Sequence, residues 1–339
     1  MDFEPTDDQV ALQSGLRRFL ADRVTPEARR AMAELPGAVD RDLWRELAGM
    51  GVFALTRPEA AGGAGLGVAE ATLVFEELGW AAVPGPLIGT FLAAGLGEGA
   101  TAGAGADLAA AAATGDAVVG LVPRAVAGAP ALVEHLAALD GLLVVGDEEV
   151  ALVEPPLASR PVTRPLDPLT PVDVVDELPA GTALGGLDVV GRLRAGGGLL
   201  AAALQVGLAD AAVAMATGYA LQRTQFGRLI GSFQGLKHLL ADAHVQVEVA
   251  RAAVQAAGVE VDDALAGHGD AVRVHRALDA ARIVASSAAD RATRACVQVH
   301  GGMGFTWEHD AHLYLKRALV LDAGIGSPDE AAESLAAAL

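Results

Sequence analysis

The sequence predicts a mostly helical α+β protein in three parts: an N-terminal helical domain, a small β domain and a C-terminal up-and-down bundle. Three observations carry this. Apolar residues recur at helical spacing to about residue 116, and again from about residue 186 onward. Between these stretches the texture changes to short Val- and Leu-rich runs punctuated by prolines. Hydrophobic residues make up 52% of the 339 positions but aromatic ones only 4%, with alanine prominent, which suits closely packed helices better than strands.

The elements follow in order. Thr6 with Gln9 forms a capping-box pattern, and Leu12, Leu16, Phe19 and Leu20 make a helical stripe ending near Pro26. A second helix is expected from Asp40, carrying Leu43, Trp44, Leu47 and Met50 and stopping at Gly51. Glycines 62, 63, 65 and 67 form a loop before a helix over about 68–79. Pro84 and Pro86 then break the chain, and Ala-rich helix resumes to about 115. Residues 1–116 therefore read as the N-terminal helical domain. Residues 117–185 read as the β domain, with strands over 117–122, 141–145 and 150–154 and a hairpin loop at Gly146-Asp-Glu-Glu149. Prolines 155, 156, 161, 165, 168, 171 and 179 suit edge strands and turns. Residues 186–339 read as the bundle, with helices over about 187–223, 233–257, 270–299 and 308–321 and a short acidic tail.

Charge and cysteine content narrow the function classes. Lys and Arg number 24 against 43 Asp and Glu, a net charge of −19 with no basic run, so nucleic acid and anionic lipid are repelled. The same field repels coenzyme A at long range, so a site for it needs local cations. The single cysteine, Cys296, excludes an internal disulfide and suits a reducing cytoplasm. The acidic N-terminal segment is unlike a signal peptide, and apolar runs such as 108–113 are too short to span a bilayer. The expectation is a soluble cytoplasmic protein with neither a nucleic-acid nor a membrane partner.

Two stretches carry chemistry. Arg223-Thr-Gln-Phe-Gly-Arg-Leu-Ile-Gly-Ser-Phe-Gln234 places a planar guanidinium where a long helix gives way to a turn. Its fork of donors suits phosphate oxygens, Gln225 adds an amide, Phe226 an apolar face, and Gly227 lets the backbone turn. Gln298-Val-His-Gly-Gly-Met-Gly-Phe305 then brings three glycines within four positions after a helix, so backbone can approach a ligand closely. Taken alone, the first is a surface arginine and the second a helix cap. The second also lacks the strand and βαβ unit of a Rossmann fingerprint. Together they are equipment for a pyrophosphate. His238, His244 and His312 lack ligand spacing with Cys296, and no metal site is expected. Trp44, Trp307 and Tyr314 read as packing residues. Three consecutive glycines, 196–198, on an expected helix cost on the order of 1 kcal/mol each relative to alanine, which points to close packing against a helix, a ligand or a partner.

In order and spacing, Arg223-x-Gln-Phe-Gly, Phe233-Gln234, Ala241-Asp242 and Gln298-x-x-Gly-Gly-x-Gly-Phe resemble the C-terminal domain of the acyl-CoA dehydrogenase family. Arg57-Pro-Glu-Ala-Ala-Gly-Gly-Ala-Gly-Leu and Glu76-Glu-Leu-Gly-Trp-Ala resemble its N-terminal part. The resemblance covers nearly the whole chain and is weakest over 100–185. It implies FAD lying between β domain and bundle, with its adenosine diphosphate half reaching a neighbouring subunit. The residues implied to hold that half are Arg223, Gln225, Phe226, Gln234, Gln298, Gly301 and Gly302.

Two departures stand out. The β domain is shorter than the family's and lacks its Ala-Leu-Thr-Glu-Pro-type segment against the flavin; Ala54-Leu-Thr-Arg-Pro58 belongs to the N-terminal motif instead. The family's catalytic glutamate, which removes the α-proton of the thioester, has two usual places. Here those places hold Ile325, in Ile325-Gly-Ser327, and Gly197, and no Asp or Glu lies between Asp188 and Asp210. Glu308-His309-Asp310 offers a substitute acid–base cluster, but its carboxylates read better as the start of the last helix. The resemblance therefore implies the non-catalytic subunit of a heteromeric enzyme of the bacterial steroid side-chain type. FAD would be shared with a homologous partner in an α2β2 assembly, and base and acyl-CoA would reside on that partner. The alternative is a homo-oligomer with altered chemistry, or a scaffold without redox activity.

Overall fold

A computed structural model of the chain describes residues 5–96, 103–126, 128–325 and 327–337. In chain order the first helices are α1 (Asp7–Arg23), α2 (Pro26–Met32), α3 (Arg41–Gly49), α4 (Val68–Trp80), α5 (Leu87–Ala94) and α6 (Ala104–Thr114). Strands β1 (Val119–Val122), β2 (Ala131–Glu134), β3 (Gly141–Val145), β4 (Val150–Val153), β5 (Arg160–Pro161), β6 (Val172–Val175) and β7 (Thr182–Gly185) follow. After them come α7 (Leu187–Ala220), the short strands β8 (Thr224–Gln225) and β9 (Arg228–Leu229), α8 (Gln234–Leu265), α9 (Ala271–His300), α10 (Ala311–Gly324) and α11 (Pro328–Ala337). By packing, the chain forms two compact units. One comprises Met1–Pro26, Thr72–Val83 and Leu199–Leu339, and the other Glu27–Ala71 and Pro84–Gly198. Helices α4 and α7 contribute to both.

The sheet-bearing unit is organised by α3 and two small sheets. The Asp40 carboxylate accepts from the amides of Asp42 and Leu43 and starts α3. Trp44 packs on Phe53 with ring centroids 4.9 Å apart, both buried. Four strands run in the order β1-β3-β4-β7, with β1 parallel to β3 and the β3–β4 hairpin antiparallel across Gly146–Glu149, as its turn chemistry suggested. A second, antiparallel sheet has the order β2-β6-β5. Strand β2 was not anticipated: only four residues long, its alternate burial is too brief to stand out in the sequence. The Thr90 hydroxyl joins α5 to β1 by accepting the Val119 amide at 3.0 Å.

The bundle unit is built on the long helices α7, α8 and α9, of 34, 32 and 30 residues. The Thr6–Gln9 capping box is present in both directions at the head of α1. Helices α4 and α7 meet through facing glycines. A Cβ on Gly79 would lie 2.1 Å from the Leu204 carbonyl oxygen, and one on Gly207 1.9 Å from that of Glu76. Helix α7 is long and apolar enough to cross a membrane by length and composition, yet 83% of its most apolar window is buried inside the fold.

Several helix ends differ from expectation. Pro26 opens α2 rather than only ending α1, because proline is well suited to a first helical turn. Helix α8 continues past 257 to Leu265, since Gly258 is a buried small residue within it and not a cap. The last long helix begins at Ala311 instead of 308. The acidic tail forms α11, capped by the Ser327 hydroxyl accepting the Glu330 amide at 3.1 Å.

Candidate functional site

Helix α7 stops at Ala220, three residues before Arg223, and the segment that follows is a tight β8–β9 hairpin rather than a simple turn. Phe226 (φ 54°) and Gly227 (φ 75°) form its tip, both left-handed as a two-residue hairpin of this twist requires. Glycine adopts that conformation freely; a phenylalanine there is strained by roughly 1–2 kcal/mol. The strained ring is nevertheless 91% exposed, meeting Phe233 edge-on at 6.2 Å. The Arg228 guanidinium lies 4.0 Å over the Phe233 ring. The hairpin closes where the Ile230 amide donates to the Arg223 carbonyl at 2.8 Å. Gly231 is fixed by packing, since a Cβ would lie 2.9 Å from the Ala220 carbonyl oxygen. The side chains of Arg223 and Gln225 are exposed and make no hydrogen bond or ion pair among the described residues. Gln234, at the head of α8, places its Nε2 3.2 Å from His238 Nε2.

The second stretch is the end of α9 and a short 3₁₀ turn, Gly301–Phe305. Its glycines have different reasons to be glycine. Gly304 packs 2.7 Å, measured from an added Cβ, against the Val297 carbonyl. Gly301 needs its positive φ of 61°, while a Cβ on it would meet nothing within 4 Å. Gly302 is required by neither conformation nor packing, since its φ is ordinary and the space beside it is open. Gln298 is exposed and lines a groove of about 610 Å³ between α8 and α9, with Leu239, Asp242, Val245, Arg291 and Arg294. Phe305 is 70% exposed.

Both stretches emerge at one end of the bundle unit and are joined by rings that sequence reasoning missed. Tyr219 lies 4.3 Å from His300 and 6.5 Å from His309, and His300 lies 3.9 Å from His309. His300 is buried, and its Nδ1–H donates to the Cys296 carbonyl at 2.8 Å; its Nε2 has no partner among the described residues. Burial lowers its pKa from the usual 6.5, partly opposed by that hydrogen bond. Cys296 beside it is pushed up to about 12 by burial, and its thiol is inert at neutral pH. A tyrosine one turn before Arg223 and a histidine inside the glycine motif were the available signals.

The acid–base candidates fall out differently. Gly197 is a buried residue of α7, and Ile325 follows the last turn of α10, while Gly326 lies outside the described residues. Of the glycines around position 197, Gly196 packs against Leu92, 3.2 Å from an added Cβ, and Gly198 faces open space. In the Glu308–Asp310 cluster, the Thr306 hydroxyl holds the exposed Glu308 carboxyl below its usual range, and His309 Nδ1 accepts the Ala311 amide at 3.3 Å. These contacts order the turn into α10. Trp44 and Tyr314 are buried, the Tyr314 hydroxyl donating to the Trp80 carbonyl at 3.0 Å. Trp307 is not a core residue: it is 61% exposed, with the Lys316 ammonium 5.2 Å over its ring. Among the described residues no three His, Cys, Asp or Glu side chains gather as a metal site.

Residues 185–339 match the acyl-CoA dehydrogenase C-terminal domain and residues 6–114 the acyl-CoA dehydrogenase N-terminal domain. The chain belongs to the acyl-CoA dehydrogenase family. It is 36% identical to acyl-CoA dehydrogenase IpdE2 of Mycolicibacterium smegmatis over 331 residues, 96% of either chain. It is 35% identical to IpdE2 of Mycobacterium tuberculosis over 324 residues, 93% of this chain and 92% of that one. Among solved structures it is similar to the ChsE4-ChsE5 complex from Mycobacterium tuberculosis, with a TM-score of 0.87 and 25% identity over 99% of this chain and 98% of that chain. The family implies FAD, and the residues present suit its phosphate-bearing half. A guanidinium without a carboxylate partner among the described residues, two open glycines and an outward aromatic ring stand at one end of the bundle unit.

Proposed function

We propose that this chain is the non-catalytic subunit of a heteromeric acyl-CoA dehydrogenase and completes the FAD site of a homologous partner, in an α2β2 assembly in the cytoplasm. The observation that carries the reading is a contrast within the chain. Its cofactor motifs stand outward with unmatched donors and a strained, solvent-facing Phe226, while both base positions hold residues that cannot take a proton, Ile325 and Gly197. The likeness to a two-component complex supports the same reading.

In this reading Arg223 and Gln225 donate to pyrophosphate oxygens, Phe226 covers an apolar part of the nucleotide, and Gln234, Gln298 and the backbone at Gly301 and Gly302 complete the grip. FAD, when bound, supplies the hydride acceptor for α,β-dehydrogenation of an acyl-CoA thioester. The residues of this chain bind and orient it, and the proton at the α-carbon is left to the partner's carboxylate. A base-free chain leaves room for a bulky acyl group, such as a steroid side chain, on the partner. The three-part division at 116 and 185 belongs to the same proposal, with the shortened middle part carrying no flavin-ring segment.

The test is to purify the chain alone and co-expressed with a homologous subunit. The expected result is little flavin absorbance alone, and flavin with acyl-CoA dehydrogenase activity in the complex. A lone chain that holds FAD and turns over an acyl-CoA would overturn the reading.

A further inference from the structure

We propose that His300 is a positioning residue that keeps the Arg223 hairpin and the Gln298–Gly302 turn in register, through its ring contact with Tyr219. The inference rests on the reading that both stretches hold one nucleotide. Among the described residues, no hydrogen bond of the motif side chains ties one stretch to the other. The connection runs through Tyr219 instead. Its carbonyl accepts the Arg223 amide at 2.9 Å, and its ring lies 4.3 Å from that of His300. His300 in turn belongs to the second stretch, two residues after Gln298 and directly before Gly301, so a ring that is held in place also holds the backbone on either side of it.

The His300 ring is held in three ways. Its Nδ1–H donates to the Cys296 carbonyl, which fixes the tautomer and the ring plane. The His309 ring packs on it at 3.9 Å from the segment that leads into α10. Burial excludes water from it and leaves the Nε2 lone pair without a partner among the described residues. A buried acceptor without a donor is unfavourable, so simple core filling would be better served by an apolar side chain. A ring anchored at one edge and packed between two tilted rings is what a fixed spacer between two loops needs. Tyr219 also reaches the glycine turn directly, with its hydroxyl 4.0 Å from Met303 Sδ.

The experiment reads the coupling first without FAD. In amide ¹H–¹⁵N spectra of the isolated chain, His300→Ala should shift residues 223–229, distant in sequence, as well as 301–305. His300→Phe, which keeps the ring, should leave 223–229 in place. Tyr219→Leu approaches from the other side and should move 301–305, whereas Tyr219→Phe, which loses only the hydroxyl that reaches Met303 and keeps the ring on His300, should not; this pair decides the matter if His300→Ala fails to fold. In the complex with the partner subunit, His300→Ala should weaken FAD binding by roughly two- to tenfold, the size of one aromatic pair, and His300→Phe should restore it. Hairpin amides that stay put in folded His300→Ala, or a His300→Phe chain that behaves like it, would overturn the proposal. Arg223→Ala is the control: if it leaves FAD binding unchanged while the amides still respond, the cofactor reading fails and the coupling between the loops stands.

Discussion

Two arginines of the bundle unit differ in whether the chain itself supplies their counter-charge. Arg251 reaches three carboxylates: Glu76 at 2.7 Å, Asp210 at 3.4 Å and Glu248. Beside it, Arg17 holds Glu77 at 2.5 Å. Arg223, in a chain with 43 acidic residues, has no such partner among the described residues. The buried carboxylates Glu76 and Glu77 find their cations within the chain; in the proposed reading the hairpin arginine is matched to an anion that the chain does not contain.

The comparison is broken most forcefully at Arg251. Arg251→Ala leaves the buried Glu76 without its cation and should lower unfolding stability by about 3–5 kcal/mol, measured by urea denaturation. The fraction of folded complexes carrying FAD should stay the same. A small loss of stability would show that Glu76 finds another partner or takes up a proton, and the cluster would not be the structural half of the contrast.

Arg223→Ala should do the reverse. Removing a charged phosphate contact should weaken FAD binding in the complex by roughly 1.5–3 kcal/mol, about ten- to a hundredfold. Stability of the isolated chain should move by no more than about 0.5 kcal/mol, as for other exposed sites. Unchanged FAD occupancy, measured by flavin absorbance per complex, would remove Arg223 from the cofactor site.

Much of this division was legible in the sequence, and the gaps have physical causes. The capping box at Thr6, the Asp40 cap and the start of α7 at Leu187 are local signals and fall where they were expected. The β8–β9 hairpin was hidden because its tip puts a phenylalanine in a left-handed conformation, against the usual turn chemistry. The continuation of α8 through Gly258 and the helix in the tail depend on packing against α9, which short-range patterns do not encode. The two motifs were readable as sequence patterns, but the surroundings of their individual residues were not. That Gly304 is held by packing and Gly302 by nothing in the chain emerges only when neighbours can be placed around each. The ring triangle of Tyr219, His300 and His309 joins residues up to ninety positions apart and carries no spacing signature.

The subtlest way to sharpen the contrast is pH, because the two regions respond with opposite sign. Burial raises Glu76 and Glu77 above the usual carboxylate value of 4.5, with Arg251 and Arg17 opposing. Their contribution to stability is therefore greatest below that value and is lost as pH rises through the folded-state pKa. His300 is depressed below 6.5, so its contribution is present above 6.5 and is lost as pH falls through its lower folded-state value, when the folded chain must accept a proton on a buried ring. The groups around that ring are the Tyr219 hydroxyphenyl, the Cys296 thiol and His309. The difference in unfolding free energy between the native chain and His300→Phe cancels the carboxylate response and isolates the histidine. That difference should be flat above 6.5 and should swing toward the variant as pH falls below it. A difference that is constant over the whole range would mean that His300 titrates alike in the folded and unfolded chain, and that its burial does not hold it neutral.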